Sequence, residues 1–521
     1  MSHRYKYLAL FFALLAVGIY CHLSTNPVAL KEATPVARLP YIDPDYTNIV
    51  IPPNIAPLNF MIKEPGRGYY VNIYTTEGKN IEIFSRSPKI IIPQGRWKKM
   101  VNSNRGQELH FDVYAKNENG QWLRFQTITN RIAREDIDGF LVYRLMAPLY
   151  ILWKKLGIYQ RNLQNYDESL IFHNRAASRA CINCHCFYHN NPDKMILHLR
   201  GGPGTSMLLA QRGAVVKVDT RTEFNQSPAA YPSWHPNGKL LAFSVNTVKQ
   251  FFHAVGENRD VFDQASDLIL YQIESNTVTT SPQISRPDRM ETYPMWSADG
   301  KYLYFCSAPA LGSDFSLYKH EYKKVQYDLM RIPYDPETET WGEPETVLSA
   351  AETGLSITHP RISPDGRFLL FCMADYGNFP VYRSNSDLYL MDLKTRQYQR
   401  LDINSDRSDS YHCWSSNSRW FVFSSKRRDG LLARPYFSYI DENGKVYKPF
   451  LLPQKDPAFY DTYLRTYNVP ELISEPIRVR PQVLAGAAMN KRKTLKAKLD
   501  PGVEPRVSPT IEKPVWQPAP Q

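Results

Sequence analysis

The sequence predicts a mainly β protein: an N-terminal membrane anchor, a small β-sandwich, a helical segment carrying a C-x-x-C-H motif, and then a β-propeller of five or six blades. Three observations carry this. Four aromatic-rich strings sharing one turn recur through the C-terminal half, two alternating hairpins precede them, and an apolar run opens the chain. Of 521 residues, 43% are hydrophobic and 22% charged, and mean hydropathy is -0.44. That balance suits a folded, water-exposed body without further membrane spans, long enough for more than one domain.

The elements follow in order. Arg4 and Lys6 precede the apolar run from Tyr7 to Leu23, the pattern of a signal peptide or anchor. Its 17 residues lie near the lower limit for a spanning helix. No small-x-small cleavage site directly follows, so an uncleaved anchor over residues 1–23 is favoured, with the basic flank inside and the body outside. Lipidation at Cys21 is disfavoured, because Tyr20 stands where a small residue is expected. The expected location is the periplasm or cell envelope, anchored in the inner membrane. Residues 24–50 read as a linker. Over 51–134, "YYVNIYTTEGKNIEIFS" and "ELHFDVYAKNENGQWLRFQTIT" alternate around turns and suggest an immunoglobulin-like sandwich. Over 135–209, the apolar stretch from Phe140 to Tyr159 reads as one or two amphipathic helices broken at Pro148. Residues 456–521 read as a basic, Pro-rich extension, disordered at its end. Net charge is +12, part of it in "NKRKTLKAK" from Asn490. Such a run reads as a solvated face, and outside the cytoplasm no nucleic-acid role is expected.

The repeat defines the propeller over residues 210–455. "YPSWHPNGKLLAFSV" from Tyr231, "YPMWSADGKYLYFCS" from Tyr293, "HPRISPDGRFLLFCM" from His359 and "YHCWSSNSRWFVFSS" from Tyr411 start 62, 66 and 52 residues apart. Asn-Gly and Asp-Gly turns tolerate the positive φ of a tight hairpin, and an aliphatic-aromatic strand follows each. One antiparallel unit repeated in this way is a propeller blade. The repeat also assigns Cys306, Cys372 and Cys413 to buried strand slots. Trp234, Trp296 and Trp414 share one slot, read as packing between blades.

Cys181-Ile182-Asn183-Cys184-His185 is the attachment signal for c-type haem. Two thiols at this spacing add to the two vinyl groups of one porphyrin, and the histidine binds iron. With 7 Cys and 12 His in the chain, random order gives roughly 0.002 occurrences. Competing readings are a zinc knuckle with Cys186, His189 and His198, structural thiols, and a redox C-x-x-C. His189 is expected on the same helix face as His185 and unable to reach the opposite side of a ring. The expected site is therefore Cys181, Cys184 and His185, with Met195 as distal iron ligand. His198, Met207 and His173 are the other distal candidates, and Arg200 is a partner for a haem propionate.

The four repeat strings resemble the TolB-like β-propeller repeat, most clearly from Pro360 to Phe371, and the resemblance covers about Val215 to Pro453. It favours six blades. The whole chain is similar to exported TolB-like proteins with one C-x-x-C-H upstream of the propeller. The resemblance transfers no activity, since propellers serve many functions. "RGGPGTS" from Arg200 is a glycine-rich loop, but no G-x-S-x-G, G-x-x-x-x-G-K-[ST] or H-E-x-x-H occurs. An enzyme is thus not expected. Two readings remain. One is a membrane-anchored monohaem c-type cytochrome whose propeller docks a redox partner for single-electron transfer. The other is a non-enzymatic envelope scaffold, with zinc or a disulfide at the C-x-x-C-H.

Overall fold

The computed structural model describes residues 30–147, 156–200, 205–251, 260–312, 321–490 and 492–506. The anchor expected over residues 1–23, the helix break at Pro148 and most of the glycine-rich loop lie outside them. No helix among the described residues is long and apolar enough to cross a membrane. The chain forms two units. The first, built around Pro57–Arg134, contains a seven-stranded and a three-stranded sheet. Its central strand Glu108–Lys116 pairs with Gly68–Tyr74, Trp122–Arg124 and Ile128–Ile132. The helix Gln94–Ser103 buries Trp97, Met100 and Val101. Residues 24–50 are not simply a linker: Thr34–Pro35 and Val50–Ile51 pair in parallel with strands of this sheet.

The second unit contains six sheets, each of four or five strands among the described residues. Five have an inner strand followed outward by its sequence neighbours. These inner strands are β1 (Cys181–Tyr188), β2 (Ala229–Trp234), β3 (Arg289–Trp296), β4 (Ser356–Ile362) and β5 (Asp409–Trp414). The sixth sheet is assembled from both ends of the unit. Its outer strands are Phe140–Met146, Gly157–Asn162 and Glu168–His173, and its inner strand is β6 (Thr466–Ile473). Each inner strand contacts the next, β5 contacts β6, and β6 contacts β1, so the ring closes. Closure matters because a single sheet cannot bury both its faces, whereas neighbours in a ring bury each other's. Apolar clusters lie between successive sheets, for example Val142, Leu197 and Leu484, then Ile196, Phe243 and Ile269.

This corrects three expectations. Among its described residues the 135–209 segment is not helical: it forms strands, with a 3-10 turn at Asn174–Ala177. Strands covered on both faces, such as Phe140–Met146, read as continuous apolar runs, which periodicity cannot separate from helix. The ring is also larger than 210–455, extending from Phe140 to Ile473. Finally, the C-terminal extension is structured over much of its length. It supplies β6, a helix at Pro481–Met489, and two short strands, Thr494–Lys496 and Lys498–Leu499, that cover the outer edges of two sheets. Covered edges leave no open strand for other chains to pair with.

The C-x-x-C-H lies inside this repeat. Each inner strand carries a bulge against its neighbour, at Ala230/Ser233, Thr292/Met295, Thr358/Arg361 and Ser410/Cys413. On β1 the bulge falls between Asn183 and His185. Cys184-His185-Cys186-Phe187 therefore takes the place of Tyr231-Pro232-Ser233-Trp234. At that first position Tyr231, Tyr293, His359, Tyr411 and, on β6, Val469 all have φ between 45° and 55°. Left-handed backbone on such residues is strained and persists only where the surroundings enforce it.

Candidate functional site

The bulges aim side chains into one central channel of about 900 Å³. Two residues after each of the five strained positions, Ser233, Met295, Arg361, Cys413 and Glu471 line it, as does Cys186 at the matching place on β1. His185 faces the same space and is only 4% exposed. Its Nδ1 lies 2.8 Å from Glu471 Oε2 on β6, and Glu471 Oε1 accepts the Phe187 N–H at 3.0 Å. A carboxylate accepts, so Nδ1 carries a proton; in the neutral imidazole the lone pair is then on Nε2. That Nε2 is buried and has no hydrogen-bond partner. An imidazole with one nitrogen on a carboxylate and the other buried without a partner is held in a fixed orientation at the cavity wall.

Cys181 lies beside the cavity. Arg144 holds the attachment strand by donating to the Ile182 carbonyl at 2.8 Å and to Asn468 Oδ1 on β6 at 2.6 Å; its Nη1 is 3.7 Å from Cys181 Sγ. Burial pushes the Cys181 thiol up, and Arg144 and Arg200 pull it partly back. Arg179, Arg200 and Arg361 also line the channel, giving it cationic groups suited to carboxylates. The side chain of Cys184 lies outside the described set. No disulfide occurs among the described cysteines, and no group of three or more His, Cys, Asp or Glu is arranged for a metal ion among the described residues.

The structure separates Met195 from this site. Met195 is fully buried in the cluster between sheets, with Phe187 and Leu197, and does not line the channel. It lies on the second strand of its sheet, Asn191–Arg200, opposite Phe187. The turn joining the two strands is a tight one at His189 and Asn190, both with positive φ, so the chain folds back beside β1 and does not cross the channel. His189 is thus in a hairpin turn and not on a helix, and it does face the channel. Met207 sits in another inter-sheet cluster. His198 is buried away from the channel, and burial pushes its pKa down to about 3. His173 Nδ1 caps the Asn174–Ala177 turn by accepting from Arg175 N at 3.1 Å. Arg200 does face the channel, as do Trp234, Trp296 and Trp414. Sequence reasoning missed Glu471 and Arg144, which no motif marks. It also missed His359 as a channel residue, although His359 stands in the Tyr slot of the repeat.

A ring of antiparallel sheets around one channel is a β-propeller, and His185 lines that channel. No protein-family model and no curated protein matches the sequence. Among solved structures, the chain is similar to the Dos1 propeller, with 14% identity over 53% of this chain and 63% of that one, at a TM-score of 0.32. That match takes in less than two thirds of the Dos1 chain. An auxiliary nutrient binding protein from Bacteroides thetaiotaomicron matches with 11% identity over 80% of this chain and 98% of that one, TM-score 0.32. A periplasmic gluconolactonase from Pseudomonas aeruginosa matches with 12% identity over 74% and 96%, TM-score 0.32. Likenesses this distant carry no argument about activity, and the fold rests on the strand topology.

Proposed function

We propose that this chain is a cell-envelope monohaem c-type cytochrome, anchored at its N-terminus, whose propeller encloses the haem and docks a redox partner. We read the six sheets as six blades of a TolB-like propeller, with β6 as the strand that closes the ring. One observation carries the haem reading: the motif histidine lines a cavity of about 900 Å³, with Nδ1 on Glu471 and a buried, unpartnered Nε2. A haem held there supplies one-electron chemistry at its iron. In this reading Cys181 and Cys184 hold the porphyrin and His185 binds the iron. Glu471 fixes the imidazole tautomer, and Arg200 with its neighbours balances the propionates.

The test is the full chain made with a haem-c maturation system. Haem staining after denaturation and a pyridine haemochrome spectrum are expected. A folded, exported but colourless product would remove the reading. Zinc near one equivalent in that product would favour the scaffold alternative.

A further inference from the structure

Besides His185 the channel is lined by His189, His359 and His412, which this reading does not use. His359 stands at the strained position of β4, where β2, β3 and β5 have tyrosine. It is 5% exposed, faces the channel, and has no hydrogen-bond partner on either Nδ1 or Nε2. A buried imidazole with both nitrogens unpaired carries a desolvation cost that a bound group would relieve. Its ring is held in place by aromatic neighbours: the Tyr293 ring centroid is 3.9 Å away, and Tyr411 meets it edge-on at 4.7 Å.

Ring order sets where it points. From β1, the path through β2 and β3 reaches β4 in three steps, and so does the path through β6 and β5. His359 therefore stands on the strand directly across the channel from His185. Its position in the repeat is one residue before that of His185. Two other donors in the channel are engaged. His412 Nε2 donates to the Leu370 carbonyl at 2.8 Å, and Met295 Sδ receives Ser233 Oγ and Arg361 Nη1, each at 3.8 Å.

We propose that His359 would be a second protein ligand to the iron of a haem held in this channel, from the strand across the ring from His185. The proposal rests on the haem reading above. An iron held by two imidazoles has no open position, which suits an electron carrier and not a small-ligand binder.

The experiment compares full-length wild type, His359→Ala and His359→Met, each first checked for covalent haem by pyridine haemochrome and for folding by far-UV circular dichroism. Wild type should be six-coordinate and low-spin, and slow to take up carbon monoxide when reduced. His359→Ala should become high-spin and bind carbon monoxide readily, and added imidazole should restore the low-spin spectrum. If the alanine variant does not fold, His359→Met decides: a long-wavelength sulfur-to-iron band and a raised potential are expected. A high-spin wild type, or unchanged spectra in the folded variants, would overturn His359 while leaving the haem reading intact. Absence of covalent haem in wild type would overturn both.

Discussion

His185 and His412 occupy the same place on two inner strands, one on each side of β6 in the ring. Their surroundings in sequence are similar: Cys184-His185-Cys186-Phe187 against Tyr411-His412-Cys413-Trp414. Both are about 4% exposed. Yet His412 donates from Nε2 to the Leu370 carbonyl at 2.8 Å, and its Nδ1 is 3.7 Å from Cys372 Sγ. Both its nitrogens are engaged in the fold. His185 has Nδ1 on Glu471 and a buried Nε2 with no partner. The repeat supplies the slot, and the neighbouring strand decides whether a histidine there braces the fold or presents a lone pair.

The largest expected effect separates the two residues directly. His185→Ala should shift the Soret and visible bands of the matured protein by removing an iron ligand. His412→Ala should leave those bands in place. Absorption spectra of the two variants side by side would collapse the comparison if they changed alike.

Met195→Ala sharpens the contrast between packing and ligation. It empties part of an inter-sheet cluster and should cost about 2–5 kcal/mol. Denaturant unfolding should register that loss while the haem spectrum stays unchanged. A changed iron spectrum in folded protein would return Met195 to the site.

The bracing role of His412 predicts an acid response. Burial pushes its pKa down to about 3 from an ordinary 6.5. Between those values the unfolded chain binds a proton that the folded one excludes, so stability is full above about 6.5 and falls as pH drops towards 3. His412→Gln should flatten part of this fall in melting temperature between pH 7 and pH 4. At neutral pH it should cost about 1–3 kcal/mol, because the Leu370 carbonyl loses its geometry-matched donor. An acid profile identical to wild type would contradict the bracing assignment.

Gly366→Val probes the turn of the sheet opposite β1 without touching either histidine. Gly366 has φ 75°, and a Cβ there would come 3.3 Å from Ala298 Cβ. Strain of about 1–3 kcal/mol is expected, read as a lower melting temperature with an unaltered Soret band. Wild-type melting would mean that the hairpin register is misassigned.

Much of the ring was legible because its signals are local. A turn of the type Asp365-Gly366 announces itself through the positive φ it requires, and the strands beside it through their apolar residues. The C-x-x-C-H was legible as chemistry but not as a strand, because Cys184-His185 replaces the Tyr-Pro of the repeat and hides the alignment. The stretch from Phe140 was misread as helix because burial on both faces erases the alternation that marks a strand.

By itself, then, the sequence determined the repeated unit, its turns and the two thiols with their histidine, all of which depend on residues within a few positions of one another. Tertiary structure alone decided that β6 closes the ring and carries Glu471 to His185 across 286 residues of chain. It also decided that Met195 faces a core, and that His359 stands across the channel. Those outcomes depend on which strands become neighbours when the ring closes. Contacts so distant along the chain leave no period or spacing in the sequence by which to read them.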